Sequence, residues 1–113
     1  RRALAALHGN GLPPPDPEAF GLQGADRDWL LRRSVPHPFA AYDQALDFDG
    51  VRWAALPRTY IDCTAPAFST IAPYRLRVRE QAGWELHELR TGHCPMVSMP
   101  QRLIELLLQA AAG

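Results

Sequence analysis

The fold turns on one stretch: Gly83-Trp84-Glu85-Leu86-His87-Glu88-Leu89-Arg90-Thr91-Gly92-His93-Cys94-Pro95-Met96-Val97-Ser98-Met99-Pro100. Trp84 to Leu89 alternates with the two-residue period of a sheet-edge strand. Arg90 to Pro95 reads as a loop. Ser98 with Gln101 fits a capping box, and Pro100 falls in the first helical turn, where its missing N–H loses no partner. Beyond it, Leu103, Leu106, Leu107 and Ala110 form one stripe, widened by Ile104, Leu108 and Ala111. That stripe predicts a terminal helix laid on a sheet. A histidine therefore sits between the last strand and the last helix.

Upstream, Arg58 to Thr64 is β-rich and bounded by prolines, and predicts a second strand. Between the two strands, Pro66 to Ala82 is helix-like but contains Pro73, which puts the start of the helix near that proline. Ile71, Tyr74, Leu76 and Val78 would supply its apolar side, and Gly83 its end. Two strands joined through a helix should be parallel with a right-handed crossover. Two strands do not make a stable open sheet alone, so further strands must come from elsewhere. Before residue 56 the chain is loop-rich. Residues 1–8 predict the end of a helix, closed by Gly9-Asn10-Gly11 and with His8 at its C-terminus. Leu12-Pro13-Pro14-Pro15-Asp16-Pro17 cannot be helical. Asp26 is expected to cap a short helix carrying Trp29, Leu30 and Arg33, which Pro36 and Pro38 end. Residues 39–55 predict little regular structure beyond turns at Phe39–Tyr42 and Asp47-Phe48-Asp49-Gly50.

Composition bounds the function. The chain has 113 residues and is 47% apolar, enough for one domain with a core. Its twelve basic and twelve acidic residues balance. A neutral chain offers no electrostatic footprint for nucleic acid or an anionic membrane, so neither partner is expected. All twelve basic residues are arginine, a sign of GC-rich coding rather than of function. No secretory signal or membrane span is evident, and two cysteines make no disulfide framework, so a cytoplasmic setting is expected. Cys63 and Cys94 would both lie at the carboxyl ends of neighbouring strands, close enough for a disulfide, although free buried thiols are expected.

Chemistry gathers at the carboxyl ends of strands in open parallel sheets, and His93 stands just past such an end. At this point a resemblance becomes explicit. Pro57 to Thr64, Gly83 to His93, then Ser98-Met99-Pro100 and the Leu-rich helix resemble the last third of an α/β-hydrolase. The branch is that of bacterial esterases similar to plant methyl esterases and hydroxynitrile lyases. Pro13-Pro14-Pro15, Pro17-Glu18-Ala19-Phe20, Ala25-Asp26-Arg27 and Pro36-His37-Pro38 resemble the helical cap of that branch, so the likeness covers essentially the whole chain. It implies an α/β fold in two parts. Residues 1–55 would be a helical, Pro-rich cap; residues 56–113 would be the C-terminal part of the core, parallel strands with flanking helices.

The resemblance implies a serine carboxylic-ester hydrolase working through an acyl-enzyme, with His93 as general base and then general acid. It needs no cofactor and no metal, and the four histidines are not spaced as ligands. Two departures stand out. There is no G-x-S-x-G, and Ser34, Ser69 and Ser98 sit on no strand–turn–helix elbow. The usual position for the acid reads Ala65-Pro66-Ala67, while Asp62 should point into the flank of the sheet. The nucleophile and the acid are thus expected from polypeptide outside these residues, in the same or a separate chain. The Arg1-Arg2 start, without methionine, fits a chain that begins mid-protein.

Other residues have plainer readings. His87 is expected to be a solvated or hydrogen-bonded strand residue, and His37 a cap-loop residue. Cys94, Met96, Trp29 and Phe20 are candidate substrate-pocket residues for a small apolar ester. Two alternatives remain open. A hydroxynitrile-lyase-like carbon–carbon lyase would use the same histidine, although the absence of lysine favours hydrolysis. A non-catalytic, hydrolase-derived binding protein would lack the nucleophile altogether. Its exposed sheet edge would favour association, including a homodimer.

Overall fold

Prolines and glycines divide the chain into short elements. The computed structural model describes residues 1–113. Its elements are α1 (Arg2–Leu7), β1 (Gly11–Leu12), α2 (Gly24–Arg33), β2 (His37–Pro38), α3 (Ala40–Asp43), α4 (Gly50–Ala54), β3 (Arg58–Cys63), α5 (Ala72–Glu80), β4 (Trp84–Leu89), α6 (Pro95–Ser98) and α7 (Pro100–Ala112). Single 3-10 turns occupy Pro17–Phe20 and Ser69–Ile71. The architecture is mixed α/β.

The two predicted strands form the larger sheet. β3 and β4 pair in parallel, in a register running from Arg58 opposite Trp84 to Cys63 opposite Leu89. Alternation puts Arg58, Tyr60 and Asp62 on one face with Trp84, Leu86 and Glu88. α5 covers the carboxyl half of that face. There Arg75 donates from Nε and Nη2 to the two oxygens of Asp62 at 2.5 and 2.9 Å, and Arg79 donates at 2.6 Å to Asp62 and at 2.8 Å to Glu88. The contact made by α5 is therefore Val78 and two arginines. Tyr74 and Leu76, expected on its apolar side, are exposed. Pro73 falls in the first turn of α5, where its missing N–H loses no partner and its fixed φ suits the helix start.

The N-terminal half is held differently. Gly11–Leu12 pairs antiparallel with His37–Pro38, a two-residue ladder that edge prolines tolerate. Arg2 reaches Asp43 and ties α1 to α3. Arg27 grips Asp16 through Nε at 2.9 Å and Nη2 at 2.5 Å. Asp16 also accepts the Glu18 N–H, starting the turn at Pro17.

Three local expectations change. α2 begins at Gly24 after Gln23, so Asp26 is a first-turn residue and not the cap; its carboxylate there still suits the helix dipole. Ser98 does not cap α7. Its hydroxyl pairs with Thr91 and donates to the Cys94 carbonyl, and Met99 precedes the helix without a side-chain cap. Residues 50–54 form a helix, α4, because Asp49 accepts the N–H groups of Val51 and Arg52 at 2.9 and 3.1 Å.

Little of the surface is closed over. Only 11 of 113 residues are buried, and the chain exposes 8456 Å², against about 6,200 Å² for a compact monomer of this mass. The radius of gyration is 16.4 Å, where about 13 Å is usual for this length. On α7 only Leu106 is fully covered, while Ile104, Leu107 and Leu108 face outward. No helix is long and apolar enough to cross a membrane.

Candidate active site

The loop after β4 is pinned from both sides before His93 is reached. Thr64 donates its N–H to Leu89 at 2.9 Å and Ala65 to Thr91 at 3.0 Å, which carries the β3–β4 ladder one step past the strands. Thr91 is buried and hydrogen-bonded to Ser98, so the loop is also tied to α6. The Cys94 carbonyl accepts from the Val97 and Ser98 N–H groups, starting α6 directly after the histidine.

Between these anchors, two glycines bring residues 20–21 onto the loop. A Cβ on Gly92 would lie 2.2 Å from the Phe20 carbonyl oxygen and 3.3 Å from the Gly21 Cα. Gly21 itself has φ +82°, and a Cβ there would meet the Pro66 ring at 2.7 Å. Neither place admits a side chain. The close approach lets His93 donate its backbone N–H to the Phe20 carbonyl at 2.9 Å. The position of the histidine backbone is thus set by a segment more than seventy residues upstream.

Its ring is set by aromatics. Phe68 stacks on the imidazole, with centroids 4.5 Å apart and planes at 29°. Phe20 stands at 5.6 Å from the imidazole and edge-on to Phe68 at 5.3 Å. No side-chain hydrogen bond engages either ring nitrogen. The histidine opens on a cavity of about 480 Å³, lined further by Leu4, Leu12, Pro13, His37, Tyr42 and Thr70 among others. Both halves of the chain contribute to this wall. His37 packs edge-on against Tyr42 at 4.9 Å.

The sequence-derived pocket residues separate. Phe20 shares the cavity with His93. Trp29 and Met96 line a different groove of about 380 Å³ with Ala25, Asp26, Arg32 and Val97. Cys94 is buried and lines neither. Phe68, Thr70 and Leu12 were not singled out from the sequence. Nothing in a loop phenylalanine announces a stacking partner, because the contact depends on how residues 64–71 fold back on β4.

The remaining polar groups are committed. Asp62 is buried, and the Arg75 guanidinium, helped by Arg79, holds its carboxyl below the usual carboxylate range despite the opposing effect of burial. It faces α5, as its strand position implied. The Ser34 hydroxyl bonds the Leu30 carbonyl at 2.8 Å. Cys63 and Cys94 are free thiols. Burial pushes both up, Cys63 also feeling the Asp62 charge. His87 bonds Glu85 at 2.7 Å. No three His, Cys, Asp or Glu side chains converge as metal ligands.

No protein-family model and no solved structure matches the chain. Among curated proteins, the carbendazim hydrolyzing esterase of Nocardioides sp. (strain SG-4G) is similar to it. The two are 35% identical over 104 residues, covering 91% of this chain and 42% of that esterase. The chain spans less than half the length of the curated relative it matches.

Proposed function

We propose that residues 1–55 are the cap and residues 56–113 the C-terminal core segment of an α/β-hydrolase-type serine esterase, with His93 as its base. The observation that carries this reading is the setting of His93. It lies just past the carboxyl end of a parallel strand, its ring is fixed by stacking, both ring nitrogens are free of side-chain partners, and it faces a cavity. Similarity to an esterase supports the same conclusion.

In this mechanism the imidazole accepts the proton of a serine hydroxyl as the oxygen attacks the ester carbonyl. The tetrahedral intermediate collapses, the C–O bond to the alcohol breaks, and the imidazolium gives its proton to the departing oxygen. Water then repeats the sequence on the acyl-enzyme, with His93 again taking and returning one proton. The nucleophile, the acid and the oxyanion donors come from polypeptide outside residues 1–113. Ser34 and Ser98 are engaged elsewhere, and Asp62 is spent on two arginines. The excess exposed surface and the uncovered residues of α7 suit a chain completed by such a segment. The substrate is a small, mainly apolar ester lying among Leu4, Leu12, Phe20 and Phe68. No metal or organic cofactor takes part.

A fluorophosphonate probe tests this reading. Applied to the polypeptide that contains these residues together with its remaining segments, it should label one serine outside residues 1–113, and labelling should slow sharply in His93→Ala. Absence of a labelled serine would overturn the assignment.

A further inference from the structure

A second cavity lies at the other end of the sheet. It measures about 460 Å³ and is lined by Trp53, Arg58, Tyr60, Tyr74, Arg77, Val78, Gln81 and Trp84. It shares no residue with the His93 cavity. Arg58 and Trp84 are the first residues of β3 and β4, so five residue steps at about 3.3 Å separate this site from the loop end by roughly 17 Å.

Its chemistry is one-sided. Four aromatic rings, two guanidinium groups, the Gln81 amide and Val78 form the wall, and no carboxylate does. Arg58 lies over the Trp84 indole at 4.9 Å, and Arg77 over the Tyr74 ring at 5.7 Å. Tyr60 stands edge-on to Trp84 at 6.3 Å. Two donors here, Arg58 Nε and Trp84 Nε1, are buried with no hydrogen-bond partner at all. Buried donors without acceptors are rare in folded chains, and here two belong to residues that line one cavity. Elsewhere in this face the arginines are satisfied, since Arg75 and Arg79 have Asp62 and Glu88. At the amino end Arg58 Nη2 reaches the Ala82 carbonyl at 3.3 Å, but Arg58 Nε and the Trp84 indole N–H have no acceptor.

We propose that this cavity binds a small aromatic carboxylate, independently of the His93 site. The flat ring would lie among Trp84, Tyr60, Tyr74 and Trp53. The carboxylate would draw Arg58 off the indole and accept from Arg58 Nε, Trp84 Nε1 and Arg77. Guanidinium and indole N–H groups match this ligand because charge-assisted bonds to carboxylate are among the stronger ones, while aromatic faces hold the ring. A carboxylate side chain from polypeptide beyond residues 1–113 has the same chemistry, and the experiment separates the two.

The probe is 2-naphthoate, with 2-naphthamide as its uncharged match and acetate as its ring-free match. Binding is followed through the indole N–H signals of the three tryptophans in ¹H–¹⁵N spectra of the protein. Saturable binding of 2-naphthoate should move the Trp84 indole signal downfield. The amide and acetate should each bind at least about tenfold more weakly. Arg77→Gln, at an exposed position that leaves the fold alone, and Arg58→Gln should each weaken 2-naphthoate by about tenfold or more. Phe68→Ala, which disturbs only the His93 cavity, should leave the affinity unchanged. The proposal fails if 2-naphthoate does not saturate, or if the amide binds equally well. It also fails if Phe68→Ala and not Arg77→Gln abolishes binding. A Trp84 indole signal already downfield and unresponsive in the intact protein would mean that its own carboxylate fills the site, and would overturn a free ligand.

Discussion

Replacing Gly92 by alanine perturbs the structure at the contact on which the placement of His93 depends. The added Cβ would sit 2.2 Å from the Phe20 carbonyl oxygen. An ordinary contact between such atoms needs more than 3 Å, so the loop and residues 20–21 must part by about 1 Å. Gly21 has little free space beside it, since a Cβ there would meet the Pro66 ring at 2.7 Å. A 1 Å opening stretches the His93 N–H bond to Phe20 from 2.9 Å to beyond hydrogen-bonding range. Overpacking at such sites costs about 1–3 kcal/mol, and the lost bond adds about 1 kcal/mol. The sum is a loss of about 2–4 kcal/mol, which for a domain of this size lowers the melting temperature by roughly 10 °C. Urea denaturation of Gly92→Ala against the parent measures it. Gly50→Ala is the control, since nothing lies within 4 Å of its Cβ. The His93 ring protons, shielded by Phe68 at 4.5 Å, should also shift in Gly92→Ala and not in Gly50→Ala. A Gly92→Ala protein within about 0.5 kcal/mol of the parent, with unmoved imidazole signals, would refute the clamp between the two segments.

Other outcomes follow from the remaining contacts. Asp62→Ala should destabilise by about 3 kcal/mol in urea melts, because it removes a buried carboxylate that organises Arg75 and Arg79. The same carboxyl titrates below its ordinary value of 3.8; its contribution is fully present above that pH and is lost as the pH falls through the lower folded value. Acid unfolding of the parent should therefore steepen below about pH 4, and Asp62→Ala should lack that step. Asp49→Ala removes two capping bonds and should cost about 1 kcal/mol, with faster amide exchange confined to α4. Phe68→Ala should free the imidazole ring, seen as loss of its ring-current shifts, and under the proposed role of His93 it should also lower ester turnover. Because burial pushes both thiols up, Cys63 and Cys94 should react with a disulfide reagent at pH 8 far more slowly in the native protein than in urea.

The sequence was legible where one physical signal dominated. Both strands of the parallel pair, the helix starting near Pro73 and the loop holding His93 follow from period, proline position and order along the chain. Boundaries set by competing polar groups were not. Ser98 satisfied the capping pattern, yet Thr91 and the Cys94 carbonyl took its hydroxyl. Asp49 stands in a run that suits a tight turn, yet its side chain caps α4. The cavity itself escaped for a different reason. It joins residues 1–42 to residues 68–93, and the link is a pair of glycines whose role is to be small. Residue type could not say that Gly92 faces Phe20 and Gly21. Nor could it say that Trp29 and Met96 share a groove apart from His93.

The role of His93 is tested most directly by the hydrolysis of an activated ester, 4-nitrophenyl acetate, in the complete polypeptide with and without His93→Ala. If the imidazole moves the serine proton, turnover should fall by about 10⁴- to 10⁶-fold while folding stability stays within about 1 kcal/mol. Turnover within tenfold of the parent would contradict it.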